Sequence, residues 1–236
     1  MQQKTTHLEL MEALLKAGAD VNARLKYPVW YLERGNEFLE PELIGATAFL
    51  RAASGLDVDA MKLLVKYGAD PNIPTVTPPG YSPGNSFLLE LLRSRGWKGE
   101  DPSGLPPLNV GGPGIYPIHL AAGYGYGEGD FANVQRHVPD GFLAAVKYLV
   151  EELGADVNLR DLNEGGSPLI YAASRGDVEM IRYLVDKGAD VNVVNRTTST
   201  ATDMANGPSR AISPYPEAVK LLESLGSKNN HTCVSC

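Results

Sequence analysis

The chain has 236 residues, 43% of them hydrophobic and 21% charged, with a formal net charge of −7 and a pI near 5.1. Such a chain can bury a core, and its acidity, with no element on which Lys and Arg cluster, argues against nucleic acid as a partner. Its longest apolar runs, such as Ala144 to Val150, are far shorter than the roughly 20 residues a membrane-spanning helix needs.

In chain order, Thr6-His7-Leu8-Glu9 predicts a capping box that opens an amphipathic helix from Leu8 to Ala17, closed by Gly18-Ala19-Asp20-Val21-Asn22. Residues 23–46 carry no such pattern and hold Tyr27, Trp30, Tyr31 and Phe38. Thr47 to Ala53 then predicts a short helix, and Val58 to Tyr67 a longer one, closed by Gly68-Ala69-Asp70-Pro71-Asn72. Residues 73–114 interrupt again, with Pro78, Pro79, Tyr81, Trp97, Pro106 and Pro107; Phe87 to Arg93 within them predicts a helix that packs rather than recognises. Tyr116 to Ala122 predicts the next short helix, residues 124–140 a third interruption, and Phe142 to Leu153 the helix before Gly154-Ala155-Asp156-Val157-Asn158. Ser167 to Ala173, Val178 to Lys187 and Gly188-Ala189-Asp190-Val191-Asn192 follow without interruption. A degraded short helix at Thr200 to Ala205 and a last one near Glu217 to Leu225, stopped by Gly226, end the pattern.

The recurring residues have physical reasons. A residue just past a helix end needs a left-handed backbone, which glycine adopts without a Cβ penalty. Ser or Thr ahead of each short helix supplies a cap, proline at the first helical position sacrifices no needed donor, and the paired alanines let neighbouring helices approach closely. An aspartate that recurs with the repeat is a turn-stabilising side chain rather than a general base, because catalysis needs one convergent set of groups.

These motifs resemble the ankyrin repeat, a unit of about 33 residues built from two antiparallel helices and a β-hairpin turn. Ser167 and Thr200 are 33 apart, and Gly154 and Gly188 are 34 apart, with the extra residue assigned to Glu151-Glu152-Leu153. The expected fold is therefore an all-α ankyrin solenoid over residues 1–226, with a flexible tail over 227–236. Asn22 and Thr47 are 25 apart, against nine for Asn158 and Ser167, so 23–46 and 73–114 read as hairpin-loop insertions and 124–140 as an insertion between helices. Loops of that length are uncommon unless functional or disordered. Their aromatics, including both tryptophans, either fold back as lids over the inner helices or contact a partner.

The resemblance implies a non-catalytic scaffold that binds a protein partner on its concave face and hairpin tips. It places the recognition positions at Arg160, Leu162, Asn163, Ser174, Arg175, Val194 and Arg196, with Tyr124, Trp30 and Trp97 as additions. His119 falls at the histidine of the inner-helix motif, where the family uses it for hairpin hydrogen bonding. The four histidines have no ligand-like spacing, and no metal site is expected. The glycine run from Gly123 to Gly129 follows a helix rather than a strand, so it reads as a surface loop and not a phosphate cradle.

Both cysteines, Cys233 and Cys236, lie in the last four residues, so no disulfide is expected in the folded body. Their Cys-x-x-Cys spacing is either the start of a haem-attachment motif, whose histidine would come next, or an incidental or metal-related pair. A half-repeat at the N-terminus, in which Leu10 and Leu14 miss expected neighbours, further suggests a fragment of a longer chain. The whole is similar to bacterial ankyrin-repeat proteins with loop insertions and a C-terminal c-type haem motif. That resemblance implies the alternative of a docking part within an exported redox protein, periplasmic or secreted, with covalent haem only if the parent chain continues with histidine. Without it, the expectation is a cytoplasmic scaffold with no cofactor.

Overall fold

The computed structural model describes residues 5–26, 44–77, 101–107, 109–125, 141–207 and 214–230. Among these residues nine α-helices follow one another: α1 (His7–Lys16), α2 (Ala48–Ser54), α3 (Val58–Lys66), α4 (Pro117–Ala122), α5 (Gly141–Lys147), α6 (Pro168–Ser174), α7 (Val178–Asp186), α8 (Ala201–Ala205) and α9 (Pro216–Ser224). The short helices α2, α4, α6 and α8 stack one on the next as an inner layer, and each packs against the longer helix that follows it. The outer layer is joined by contacts of α1 with α3 and of α7 with α9.

Local chemistry sets the helix boundaries. Thr47 and Thr200 Oγ accept from the amides of Leu50 and Asp203, and Asp57 and Asp177 accept from those of Ala60 and Met180. Thr6 and Glu9 form the reciprocal capping box expected for α1. Ser167 departs from its expected role: it precedes α6, yet its buried hydroxyl has no hydrogen-bond partner among the described residues. Proline at the first position removes one orphan donor there and presets φ for the helix.

The closing glycines behave as their position requires. Gly188 has φ +91°, its amide donates to Val185, and the next amide, of Ala189, donates to Leu184. The equivalent pair at Gly154 differs, because Ala155 donates to Leu149, one residue further back. The cause is a π-helical turn over Tyr148–Glu152 that continues α5. It takes up the additional residue in the 34-residue spacing without disturbing the glycine cap.

The alanine pairs Ala52 and Ala53, Ala121 and Ala122, and Ala172 and Ala173 are buried where the inner helices meet. Around them Phe49, Leu50, Met61, Leu64, Leu169, Ile170, Met180, Ile181, Leu184 and Leu222 make one continuous core. At the N-terminal end, α1 lays Leu8, Met11 and Leu15 against this core and leaves Leu10 and Leu14 exposed. Among the described residues no helix is long and apolar enough to cross a membrane.

Candidate partner-binding edge

Among the described residues the segments that link outer to inner helices form no strands, but they are tied together by backbone hydrogen bonds into one edge. Leu25 and Gly45 close the base of the first, through Leu25 N to Ala46 O and Gly45 N to Leu25 O, both 2.9 Å. Val76 N donates to Ile44 O at 2.8 Å, linking it to the second. There Thr75 and Thr77 pair with Gly111 to Ile115, and Val76 and Pro113 form an isolated antiparallel bridge. Leu162 N to Gly114 O and Arg196 N to Glu164 O extend the edge to the third and fourth segments.

Behind the edge, each recurring aspartate accepts from the amide of the asparagine two residues later, as in Asp156 with Asn158 at 2.8 Å. Asn158 then reaches the following repeat, where its side chain donates to Gly188 O and accepts from Asp190 N. Asn22 makes the same two bonds to Gly68 and Asp70. Among the described residues no such rung runs from Asn72, which instead lines a small cleft with Leu149 and Leu153 next to the π-helical turn.

Two buried polar groups hold the third segment. His119 accepts from Tyr116 N on Nδ1 and bonds Leu159 O through Nε2, 2.8 Å away, so it is neutral with its proton on Nε2. Burial pushes its pKa below the usual histidine value. Asp161 is fully buried and gathers the amides of Glu164, Gly165 and Gly166 and the hydroxyl of Tyr171. The Tyr171 ring lies edge-on to Tyr124, with centroids 5.0 Å apart, and edge-on to His119.

The residues assigned to recognition by resemblance are placed as follows. Tyr124 is buried against Tyr171. Ser174 is buried and donates to Tyr171 O. The Arg175 side chain is 6% exposed; it bonds Asp177 and stacks over the Phe142 ring at 3.4 Å, close beside Gly123. Asn163 is buried and accepts from Thr77 Oγ1. Leu162 and Val194 are half-buried, and their carbonyls accept from Arg196 and Arg160 respectively. Arg160 also donates to Gly165 O and Ser103 O, and Arg196 to Pro106 O and the Asp101 carboxylate. The structure brings Arg160, Leu162, Val194 and Arg196 into one cluster and leaves Ser174, Arg175 and Tyr124 apart from it, at the C-terminal ends of α6 and α4. Trp30, Trp97, Cys233, Cys236 and the helix expected at Phe87 to Arg93 lie outside the described residues, as do 126–140 of the third insertion.

Sequence reasoning did not single out Asp161, Tyr171 or the segment 101–107. Asp161 had a local signal, an acid just before a glycine-rich turn. The segment had none that points to its contacts, which are made with residues 57 to 95 positions away. Among the described residues no three His, Cys, Asp or Glu side chains converge as a metal site would require.

A family model described as ankyrin repeats in three copies matches residues 134–233, and one for the single ankyrin repeat matches residues 44–76. The ankyrin repeat and SAM domain-containing protein 6 of Rattus norvegicus is 32% identical over 126 residues, covering 53% of this chain and 12% of that protein. Protein phosphatase 1 regulatory subunit 12A of Rattus norvegicus is 32% identical over 113 residues, covering 48% and 8%. Alpha-latrocrustotoxin-Lt1a of Latrodectus tredecimguttatus is 41% identical over 66 residues, covering 28% and 5%. The chain therefore spans only a small part of the length of these relatives.

Proposed function

This chain belongs to the ankyrin-repeat family, and from that premise we propose that it is a non-catalytic scaffold that receives a protein partner along its hairpin edge and the adjoining concave side. The observation that carries this reading is the continuous edge itself, from Leu25 through Val76 and Leu162 to Arg196, braced by backbone bonds between successive segments. A surface held in that way is rigid before the partner arrives, which lowers the ordering cost of binding. The two relatives from Rattus norvegicus, one a phosphatase regulatory subunit by name, are consistent with a role in interaction rather than catalysis.

The test is site-specific photo-crosslinking in the parent organism's own extract. A photoreactive residue is placed in turn at Arg24, Glu164 and Thr198 on the edge, and at Glu179 and Lys220 on the outer helices. The expected result is one defined protein adduct from the edge positions, suppressed by excess unlabelled chain. Adducts confined to the outer helices, or none from the edge, overturn the reading.

A further inference from the structure

Residues 101–107, Asp-Pro-Ser-Gly-Leu-Pro-Pro, lie across the third and fourth hairpin segments in a way that no repeat element does. Asp101 pairs with Arg196, whose guanidinium also donates to Pro106 O at 2.7 Å and Leu162 O at 3.2 Å. Arg160 bridges Gly165 O, Val194 O and Ser103 O, so it fastens two hairpin segments and the crossing peptide at once. Leu105 sits over Gly165 so closely that a Cβ there would come within 3.1 Å of its methyl carbon. The peptide is itself pre-shaped: Ser103 N donates to Asp101 Oδ1 and Leu105 N to Ser103 Oγ, with prolines at 102, 106 and 107.

We propose that Arg160, Arg196 and the glycine floor at Gly165 form a binding site for a short proline-rich peptide that presents a carboxylate and, four residues later, an aliphatic side chain, and that residues 101–107 are its built-in occupant. The chemistry of the occupant defines the ligand class. A guanidinium takes the carboxylate and a backbone carbonyl on the same fork, the side-chain-free glycine admits the leucine, and the prolines, with the turn that Ser103 N closes on Asp101 Oδ1, limit the conformations the peptide gives up on docking. The occupant is tethered, and a short tether gives an effective concentration of order millimolar, so a free peptide of equal intrinsic affinity competes poorly until the occupant is displaced. A partner carrying a better version of this peptide would dock by replacing it. The inference rests on the scaffold reading above and names one ligand class for part of the same edge.

The test uses the full chain with Asp101→Asn and Leu105→Ala, which weakens the occupant at positions that are not part of the site. The probe is a fluorescein-labelled Asp-Pro-Ser-Gly-Leu-Pro-Pro peptide, followed by fluorescence anisotropy, with helical circular dichroism as the check on folding. The weakened chain is expected to bind the probe about tenfold or more tighter than the unmodified chain does, since the tethered competitor is lost. A probe with Asn in place of Asp is expected to lose most of that affinity, and this control needs no further change to the protein. Arg196→Ala in the weakened chain is expected to abolish binding. Equal binding by both chains, indifference to the Asp to Asn change, or no binding at millimolar probe by a chain with native helicity each overturns the proposal. If the peptide fails while edge crosslinking of a partner persists, the site is refuted and the scaffold reading stands.

Discussion

The helix layers and the hairpin edge are built from the same repeats, yet they accommodate irregularity in opposite ways. In the layers a single additional residue is absorbed within one helical turn at Tyr148–Glu152, and the glycine cap beyond it keeps its left-handed backbone. At the edge a far longer segment is admitted between Thr77 and Gly111, because these residues pair and seal the departure point. The layers depend on many small, equivalent terms distributed along the array, which is the energetics of a solenoid. The edge concentrates its polar demand in a few buried groups, and of these Asp161 carries the most bonds.

The largest effect should therefore come from the edge. Asp161→Ala removes the carboxylate that the part-buried Glu164 amide, the buried Gly166 amide and the buried Tyr171 hydroxyl all bond. Each such group costs about 1–3 kcal/mol when unsatisfied, and with partial relaxation a total of about 3 kcal/mol is expected. Urea unfolding followed by circular dichroism measures it. A loss below about 1 kcal/mol would mean that water or backbone movement replaces the carboxylate readily, and that the edge is no more concentrated than the layers.

A single layer position should cost less. Gly188→Val places a β-branched residue at φ +91°, where an added Cβ meets nothing within 4 Å. The expected loss, about 1–2 kcal/mol, is thus chiefly backbone strain, since the added Cβ itself meets no neighbour. Gly188→Asn sharpens the point: asparagine tolerates the left-handed region, so it should recover a good part of that loss in the same urea titration.

The contrast between layers and edge also explains which features were legible in the sequence. The helix pairs, their capping glycines and the aspartate turns follow from local spacing, because each is enforced within one turn of chain; the additional residue, expected at 151–153, is taken up by a π-helical turn that begins three residues earlier, at Tyr148. Ser167 does not act as the expected cap for the opposite reason: its type fits the role, but its hydroxyl makes no bond among the described residues. The positions of Arg160 and Arg196 on the edge were legible from the repeat. The direction of their guanidinium groups was not, since it depends on carbonyls at Gly165, Val194 and Leu162 and on a peptide about 60 to 95 residues earlier in the chain. The contacts between Arg175, Phe142 and Gly123 are of the same kind, set by neighbouring repeats rather than by local sequence.

The smallest effect on stability should come from the largest excision. Replacing residues 78–110 by a two-residue turn links Thr77 through that turn to Gly111, which already donates to Thr77 O at 2.9 Å. Shortening a loop lowers its closure entropy cost only logarithmically, about 0.6 kcal/mol for each halving, so the gain amounts to a few kcal/mol at most. Against it stand the lost contacts of 101–107 with Arg160 and Arg196, the pair of Asp101 with the Arg196 guanidinium among them. These terms oppose one another, and the expected net change is within about 1 kcal/mol, with the helical circular dichroism of α2 to α9 retained. Collapse of that signal would instead place essential core in the excised residues and would make the layers dependent on the edge. Retention, together with unchanged burial of Phe49, Leu50 and Ala121 in the core, would leave the two as separable parts of one fold, the second free to vary while the first stays regular.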